Sequence, residues 1–507
     1  MSPPYLAIAA EKQSQQRSRI PAAWQLSSLP PSTVSDVRSI PTTCGILSSH
    51  ELRITQKYDA TALAAAIAIR ELKAYDVATA FCKRAAIAQQ LTNCLTEIMF
   101  EEGMKRAAWL DAELERTGKV VGPLHGIPIS VKDSFMVKGY DASIGIAAFA
   151  NKVAETNSPL VDVLLAAGAV LYCKTNVPQT LMALDSHNHL FGRVLNPANR
   201  LVTAGGSSGG EGALIAMRGS VLGVGTDVGG SIRIPAMCNG IYGFKPSTGR
   251  IPYLGQTSGV KEGSEGISLR SCAGPLATSV RDVELFMKVV ADASPWDLDP
   301  GVLPASWEST GSLSSARKPL IGIVRSDGIN PPLPPISKVL DETAQALRNA
   351  GVDVIEMVVP ELRNTQALAN GFLNIDGNNS WFNILESTGE PLSPWLAERI
   401  SRKPIQSLDK VLALHARKAQ IEVEMLKIWK DSKSGRTIDA FICPIAAFPT
   451  PPVDRWVALN YTLAFNLLDW PAGVLPIRRV TKDDLLQDMS GEAIGTVDKL
   501  NRKLCML

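Results

Sequence analysis

The sequence is poor in the features that mark several protein classes. Lys and Arg number 51 against 49 Asp and Glu, so no global field favours a nucleic acid or an anionic membrane. There are only five histidines, and only His187 and His189 lie close together; no metal centre is expected. The eight cysteines (Cys44, Cys82, Cys94, Cys173, Cys238, Cys272, Cys443, Cys505) are scattered without a C-x-x-C pair, the pattern of a reducing compartment. No apolar run reaches the ~18 residues of a membrane span. Met1 to Ala10 is too short and lacks the basic flank of a signal peptide. The ending Leu504-Cys505-Met506-Leu507 is neither a prenylation box nor a peroxisomal address. These absences set a cytoplasmic protein as the expectation, and no internal repeat divides it.

What is present reads as strands alternating with helices. Residues 1–50, rich in Ser, Pro and Gln, are expected to form an N-terminal extension, an extended arm or partly disordered. From Ala60 to Gly122 the pattern is helical: Leu63, Ile67 and Leu72 recur, Asp76 is placed as an N-cap, and a further helix is expected over Glu102–Arg116. Ile127–Asp133 reads as a short apolar strand ending on charge, followed by a helix over Ser158–Ala167 and a strand over Ala169–Lys174. Later come strands at Leu320–Val324, Val352–Val358 and Ile438–Cys443, with helices over Ile336–Ala350 and Leu408–Lys430. This alternation predicts an α/β class, a single large α/β/α sandwich with a mixed twisted sheet, over residues 51–507.

The stretch Gly205–Arg233 organises the rest. Gly205-Gly206-Ser207-Ser208-Gly209-Gly210-Glu211-Gly212 and Val228-Gly229-Gly230-Ser231 form two glycine turns, each carrying serine. Such turns aim several N–H groups at one point, as an oxyanion requires. Ser231, next to two glycine N–H groups, is placed to attack a carbonyl, although a helix N-cap fits the local pattern equally well. A serine needs a base. Lys132, at the end of an apolar strand, qualifies if burial lowers its pKa by roughly three units, about 4–5 kcal/mol; alternatively it pairs with Asp133 or another carboxylate and stays charged. Ser207 can relay a proton between the two, or simply cap the helix beginning near Gly212.

These two turns resemble the amidase signature family. Gly126-Ile127-Pro128-Ile129-Ser130-Val131-Lys132-Asp133, Lys174-Thr175-Asn176, Asn196-Pro197, Gly243-Phe244-Lys245-Pro246 and Gly274-Pro275-Leu276-Ala277 match further family blocks, with a signature core of about residues 122–280. The separations of 75 residues from Lys132 to Ser207 and 24 from Ser207 to Ser231 are also the family's. The resemblance implies a Ser-Ser-Lys triad: Ser231 as nucleophile, Ser207 (with a cis peptide before it) as bridge, and Lys132 as terminal base. It further implies an oxyanion site built from Val228, Gly229, Gly230 and Ser231 beside Ser207, with Asp227 and Arg233 bracing the loop. The implied reaction is hydrolysis of a carboxylic amide to the acid plus ammonia or an amine through an acyl-enzyme, with no cofactor and no metal. The implied partner is a small-molecule amide rather than a nucleic acid, with a homodimer as the candidate assembly.

Within the family, Tyr172–Gln179 and Asn466–Val474 resemble fungal acetamidase-like and general amidases. Trp381, Phe382 and Trp395 lie where relatives vary their acyl pocket, although plain packing explains them as well. After Val474-Leu475-Pro476 the family pattern continues with a Gly-Pro-Val-Gly-like strand and a closing helix. Here 31 residues follow, polar and basic (Lys499, Arg502, Lys503), and the expectation is a shortened C-terminus with an exposed sheet edge.

Four rival readings are set beside this one. The Gly206-x-Ser208-x-Gly210 pattern of α/β-hydrolases would need His415 as its histidine. Ser315-Ala316-Arg317-Lys318 matches S-x-x-K without its companion motifs. A glutamyl-tRNA amidotransferase A-type subunit would need partner chains and ATP. A non-catalytic or truncated amidase-like binding protein would keep the triad without turnover.

Overall fold

The computed structural model describes residues 3–308, 318–359, 361–431, 433–486, 489 and 491–504. Ser315 to Arg317 of the S-x-x-K pattern and Cys505 to Leu507 lie outside them. Twelve strands are seen among the described residues: β1 Leu95–Ile98, β2 Pro128–Lys132, β3 Val170–Thr175, β4 His187–Asn188, β5 Gly192–Arg193, β6 Leu222–Asp227, β7 Tyr242–Lys245, β8 Cys272–Ala277, β9 Leu320–Val324, β10 Asp353–Met357, β11 Ala440–Ile442 and β12 Ala472–Val474. The main sheet runs β1-β3-β2-β6-β8-β7-β12. Its centre is parallel (β3-β2-β6) and its flanks antiparallel, so the sheet is mixed, as the alternating pattern predicts.

One expectation is refined. The strands at 320, 353 and 440 do not extend the main sheet; they form a separate parallel sheet, β10-β9-β11. Helices Pro334–Asn349 and Leu408–Leu426 lie in the crossovers that parallel pairing needs.

Strand β2 positions the chemistry. It is buried along its whole length, like other central parallel strands. Alternation sends Ile129 and Val131 into the largest apolar cluster, with Leu222, Val224, Leu160, Phe286 and Val290. The opposite face carries Ser130 and Lys132 and meets the start of helix Gly209–Ala216. A strand that buries a lysine and a serine must find them polar partners on that face.

The N-terminal segment departs from the extended-arm reading. Pro4–Ser18 is a helix, although its faces are barely distinguished by hydrophobicity. Buried charge holds it: Lys12 Nζ donates to Glu97 at 2.6 Å and to Asp141 at 2.8 Å, and Arg19 reaches Glu97 at 2.5 Å. Helix Ala74–Thr92 begins one turn before the expected cap, so Asp76 lies in its first turn and Lys73 is the N-cap. On the C-terminal side, β12 is the outer strand of the main sheet, and Leu475 and Ile477 just beyond it are exposed. A helix, Thr496–Leu504, follows where the polar tail gave no helical reading.

Candidate active site

The two glycine turns flank β6 and are tied together through the backbone, the Ser208 N–H donating to the Ser231 carbonyl at 3.1 Å. Neither serine of interest is a cap. The helix after the first turn starts at Gly209 with Ser208 at its N-cap, and the helix after the second starts at Arg233 with Ile232 there, both without a side-chain capping bond. Ser207 and Ser231 are thus left free of the local duty that would have explained them. The peptide between Gly206 and Ser207 is cis.

Lys132 is fully buried, and its Nζ lies 2.6 Å from Ser207 Oγ and 2.8 Å from Thr226 Oγ1, with the Thr226 carbonyl at 3.4 Å. Among the described residues no carboxylate salt-bridges it. Asp133, its neighbour in sequence, points away and accepts hydrogen bonds from Thr96 Oγ1 (2.6 Å), Ser143 Oγ (2.9 Å) and the Ile144 N–H (2.7 Å). Asp133 opens the turn just after β2, and these three donors hold its carboxylate away from Lys132, which removes the Lys132–Asp133 pairing. Burial dominates the lysine's titration and lowers it from 10.5 to about 7, against the upward pull of Asp227 and Glu211. A neutral amine is therefore accessible near pH 7.

Ser231 is buried apart from a small opening. Among the described residues its hydroxyl takes part in no hydrogen bond, so the Ser207–Ser231 link of the relay is not formed in this structure. The structure also narrows the oxyanion set. The Gly230 N–H donates to Asp227 Oδ1 at 2.7 Å and is committed to the loop. The N–H groups of Val228, Gly229 and Ser231 have no acceptor among the described residues. Gly230 itself is required by geometry: its φ is +132°, and a Cβ would stand 2.7 Å from Thr462 Oγ1.

Asp227 and Arg233 form a fully buried pair. Arg233 Nε and Nη2 each reach a different Asp227 oxygen at 3.0 Å. Burial alone would raise the Asp227 carboxyl, but Arg233, with Asn466, holds it well below the usual range. Helix Asn460–Leu467 completes the brace. Thr462 Oγ1 donates to the Gly229 carbonyl (2.6 Å), Arg233 Nη1 donates to the Thr462 carbonyl (2.8 Å), and Arg233 Nη2 donates to Asn466 Oδ1 (2.6 Å). Thr226, Thr462 and Glu211 are site neighbours to which the sequence reading assigned no role. The block Asn466–Val474 was noted only for its resemblance.

The remaining candidates fall elsewhere. His415 Nε2 lies 3.2 Å from the Ile267 carbonyl with its ring edge-on to Phe372, while Ser208 Oγ contacts the Thr226 carbonyl, so the α/β-hydrolase arrangement is not assembled. Trp395 packs in a cluster with Leu184, Ile234, Met237 and Trp456. Trp381 is buried against Ile144 and Ile146, and Phe382 lies under the Arg402 guanidinium.

Comparison with known proteins shows the family. The Amidase family profile matches residues 76–495. An acetamidase of Emericella nidulans is 37% identical over 501 residues, spanning 97% of this chain and 90% of that protein. An amidase of Gibberella moniliformis is 36% identical over 486 residues, 93% of this chain and 89% of its own. Among solved structures, a fatty acid amide hydrolase superposes with a TM-score of 0.90 at 30% identity, covering 98% of this chain and 88% of the other. With the profile spanning most of the sequence and two fungal relatives matched nearly end to end, the chain belongs to the amidase family.

Proposed function

We propose that this amide hydrolase works through Ser231, with Ser207 and Lys132 as its proton relay. One observation carries the reading: a fully buried lysine, without a salt bridge among the described residues and able to be neutral near pH 7, lies 2.6 Å from the hydroxyl of a serine on the adjoining turn. Neutral Lys132 accepts the Ser207 proton as Ser207 accepts that of Ser231, and Ser231 Oγ bonds to the amide carbonyl carbon. The negative charge on the carbonyl oxygen is met by the N–H groups of Val228, Gly229 and Ser231. The proton on Lys132 then returns through Ser207 to the departing nitrogen as the C–N bond breaks. Water, deprotonated by the same relay, cleaves the acyl-enzyme, so that amide plus water gives acid plus amine or ammonia. The acetamidase relative supports a small aliphatic amide as the first substrate to try.

The test is intact-mass analysis after treatment with a fluorophosphonate, with peptide mapping, on the wild type and Ser231→Ala, followed by a panel of amides. Stoichiometric labelling at Ser231 and none in Ser231→Ala is expected. A folded wild type that stays unlabelled, or that is labelled at another serine, refutes the assignment.

A further inference from the structure

The family's motif includes Glu211, and the mechanism above gives it no task. It is fully buried, in the first turn of helix Gly209–Ala216, and its carboxyl rests on the sheet face that carries Lys132. Ser130 Oγ donates to its Oε2 at 2.6 Å, and Thr175 Oγ1 donates to its Oε1 at 2.9 Å. Ser130 is two residues before Lys132 on β2, and Thr175 is opposite Lys132 in the β2–β3 register. The sheet is cut away to admit the carboxyl. A Cβ on Gly223 would stand 2.1 Å from Glu211 Oε2 and 2.7 Å from Ser130 Oγ. A carboxyl so placed is costly to bury, and nothing in the packing alone requires it.

The hydrogen-bond pattern fits a group with two protonation states. Ser130 Oγ also lies 3.0 Å from Ser220 Oγ, and Ser220 Oγ donates to the Leu222 carbonyl at 3.0 Å. With Glu211 ionised, Ser130 and Thr175 donate to it. With Glu211 protonated, its O–H donates to Ser130, Ser130 to Ser220, and Ser220 to the terminal carbonyl. Each hydroxyl rotates to serve either state, and no group is orphaned.

We propose that Glu211 is a positioning residue for the reaction, a buried counter-charge on the sheet face of Lys132 that shifts the pH at which that lysine becomes a free base. The proposal rests on Lys132 being the base. Burial raises the Glu211 carboxyl to about 7, offset by Ser130, Thr175 and Lys132, so both groups change state in the same range and share their protons as a pair. Of the other ionisable groups around the pair, Asp227 raises Lys132 more strongly than Glu211 does, but Arg233 and Asn466 hold it ionised throughout, so its contribution is constant with pH. Burial raises Tyr172 and Cys173 well above their ordinary values and Cys94 to about 12, so all three stay protonated. Beyond Lys132, Asp227 is locked to Arg233. An ionised Glu211 stabilises the Lys132 ammonium; its removal destabilises that ammonium, and the free base then persists to lower pH.

The experiment measures the second-order rate of Ser231 labelling by an uncharged fluorophosphonate between pH 5 and 9.5. In Glu211→Gln the midpoint of the acid limb should move down by about one pH unit, the size of effect an opposite charge at close range exerts. Ser130→Ala and Thr175→Val, which leave the carboxyl but remove a donor to its ionised form, should move the limb in the same direction by less. These two variants also carry the test if Glu211→Gln does not fold. A folded Glu211→Gln whose limb stays at the wild-type midpoint, whatever its rate, overturns the proposal, as does an unmoved limb in both hydroxyl variants. Lys132→Ala separates the two readings: if it keeps the wild-type limb, the lysine base itself is wrong, whereas loss of that limb with no shift in Glu211→Gln refutes only the role of Glu211.

Discussion

Replacing Lys132 by Met should destroy activity and stabilise the fold, and both effects can be sized from the structure. The side chain is wholly buried, and burial lowers its titration from 10.5 to about 7. That displacement is worth about 5 kcal/mol of penalty on the charged folded form, as an upper bound. Methionine fills a similar volume without charge, but it gives up the contacts with Ser207 and Thr226, at about 1–1.5 kcal/mol each. The net expectation is a variant about 2 kcal/mol more stable than the wild type below pH 7. Below pH 7 the lysine is protonated in both the folded and unfolded states, so the penalty is felt in full. Between pH 7 and 10.5 the unfolded chain binds the extra proton, wild-type stability rises with pH, and the advantage of methionine should shrink to nothing or reverse. Urea unfolding of both proteins at pH 6 and pH 10, followed by tryptophan fluorescence, reads the difference. A Lys132→Met protein less stable than wild type at pH 6, or an advantage that does not change with pH, would refute the account of a desolvated, reversibly neutral amine.

Two further outcomes follow from the same neighbourhood. Arg233→Ala removes four hydrogen bonds and leaves Asp227 buried without its counter-charge, which should cost about 3–5 kcal/mol and lower the thermal midpoint sharply; a loss under 1 kcal/mol would mean that the pair is not what holds the loop. Gly223→Ala should cost about 1–3 kcal/mol, because its methyl group has to displace the Glu211 carboxyl and Ser130. Gly266→Ala, whose new methyl group would meet nothing within 4 Å, is the control in the same melting experiment.

The proposed triad residues are legible in the sequence because each sits in a local motif. Two glycine turns and one strand end carry Ser207, Ser231 and Lys132; residue type alone leaves each of them a plainer reading, and the family resemblance is what joins them as a candidate triad. Their environment was less accessible. Thr226 lies in the strand between the turns and reads there as an ordinary β residue, although its hydroxyl contacts the lysine. Thr462 and Asn466 reach the loop from more than 200 residues away, and no local pattern encodes such a contact. The use of the Gly230 N–H by Asp227 depends on loop geometry that a glycine motif leaves open. Composition misled at the N-terminus: Ser and Gln suggest an arm, but a single buried lysine, inserted between Glu97 and Asp141, anchors a helix whose amphipathicity is slight. The separate β10-β9-β11 sheet was hidden for a similar reason, since strand existence is local and strand partnership is not.

The brace supplied by helix Asn460–Leu467 bears on the order in which the molecule is made. Translation delivers the chain from its N-terminus, and the triad residues emerge within the first half. The Arg233 guanidinium and the Gly229 carbonyl then wait for Thr462 and Asn466, which leave the ribosome only after more than 200 further residues. A nascent chain therefore carries the three proposed catalytic side chains without the scaffold that braces the Asp227–Arg233 loop. Completion of the nucleophile turn is deferred until synthesis is nearly finished, and a chain released before residue 460 should be inert toward an acylating probe even where its central sheet has already formed.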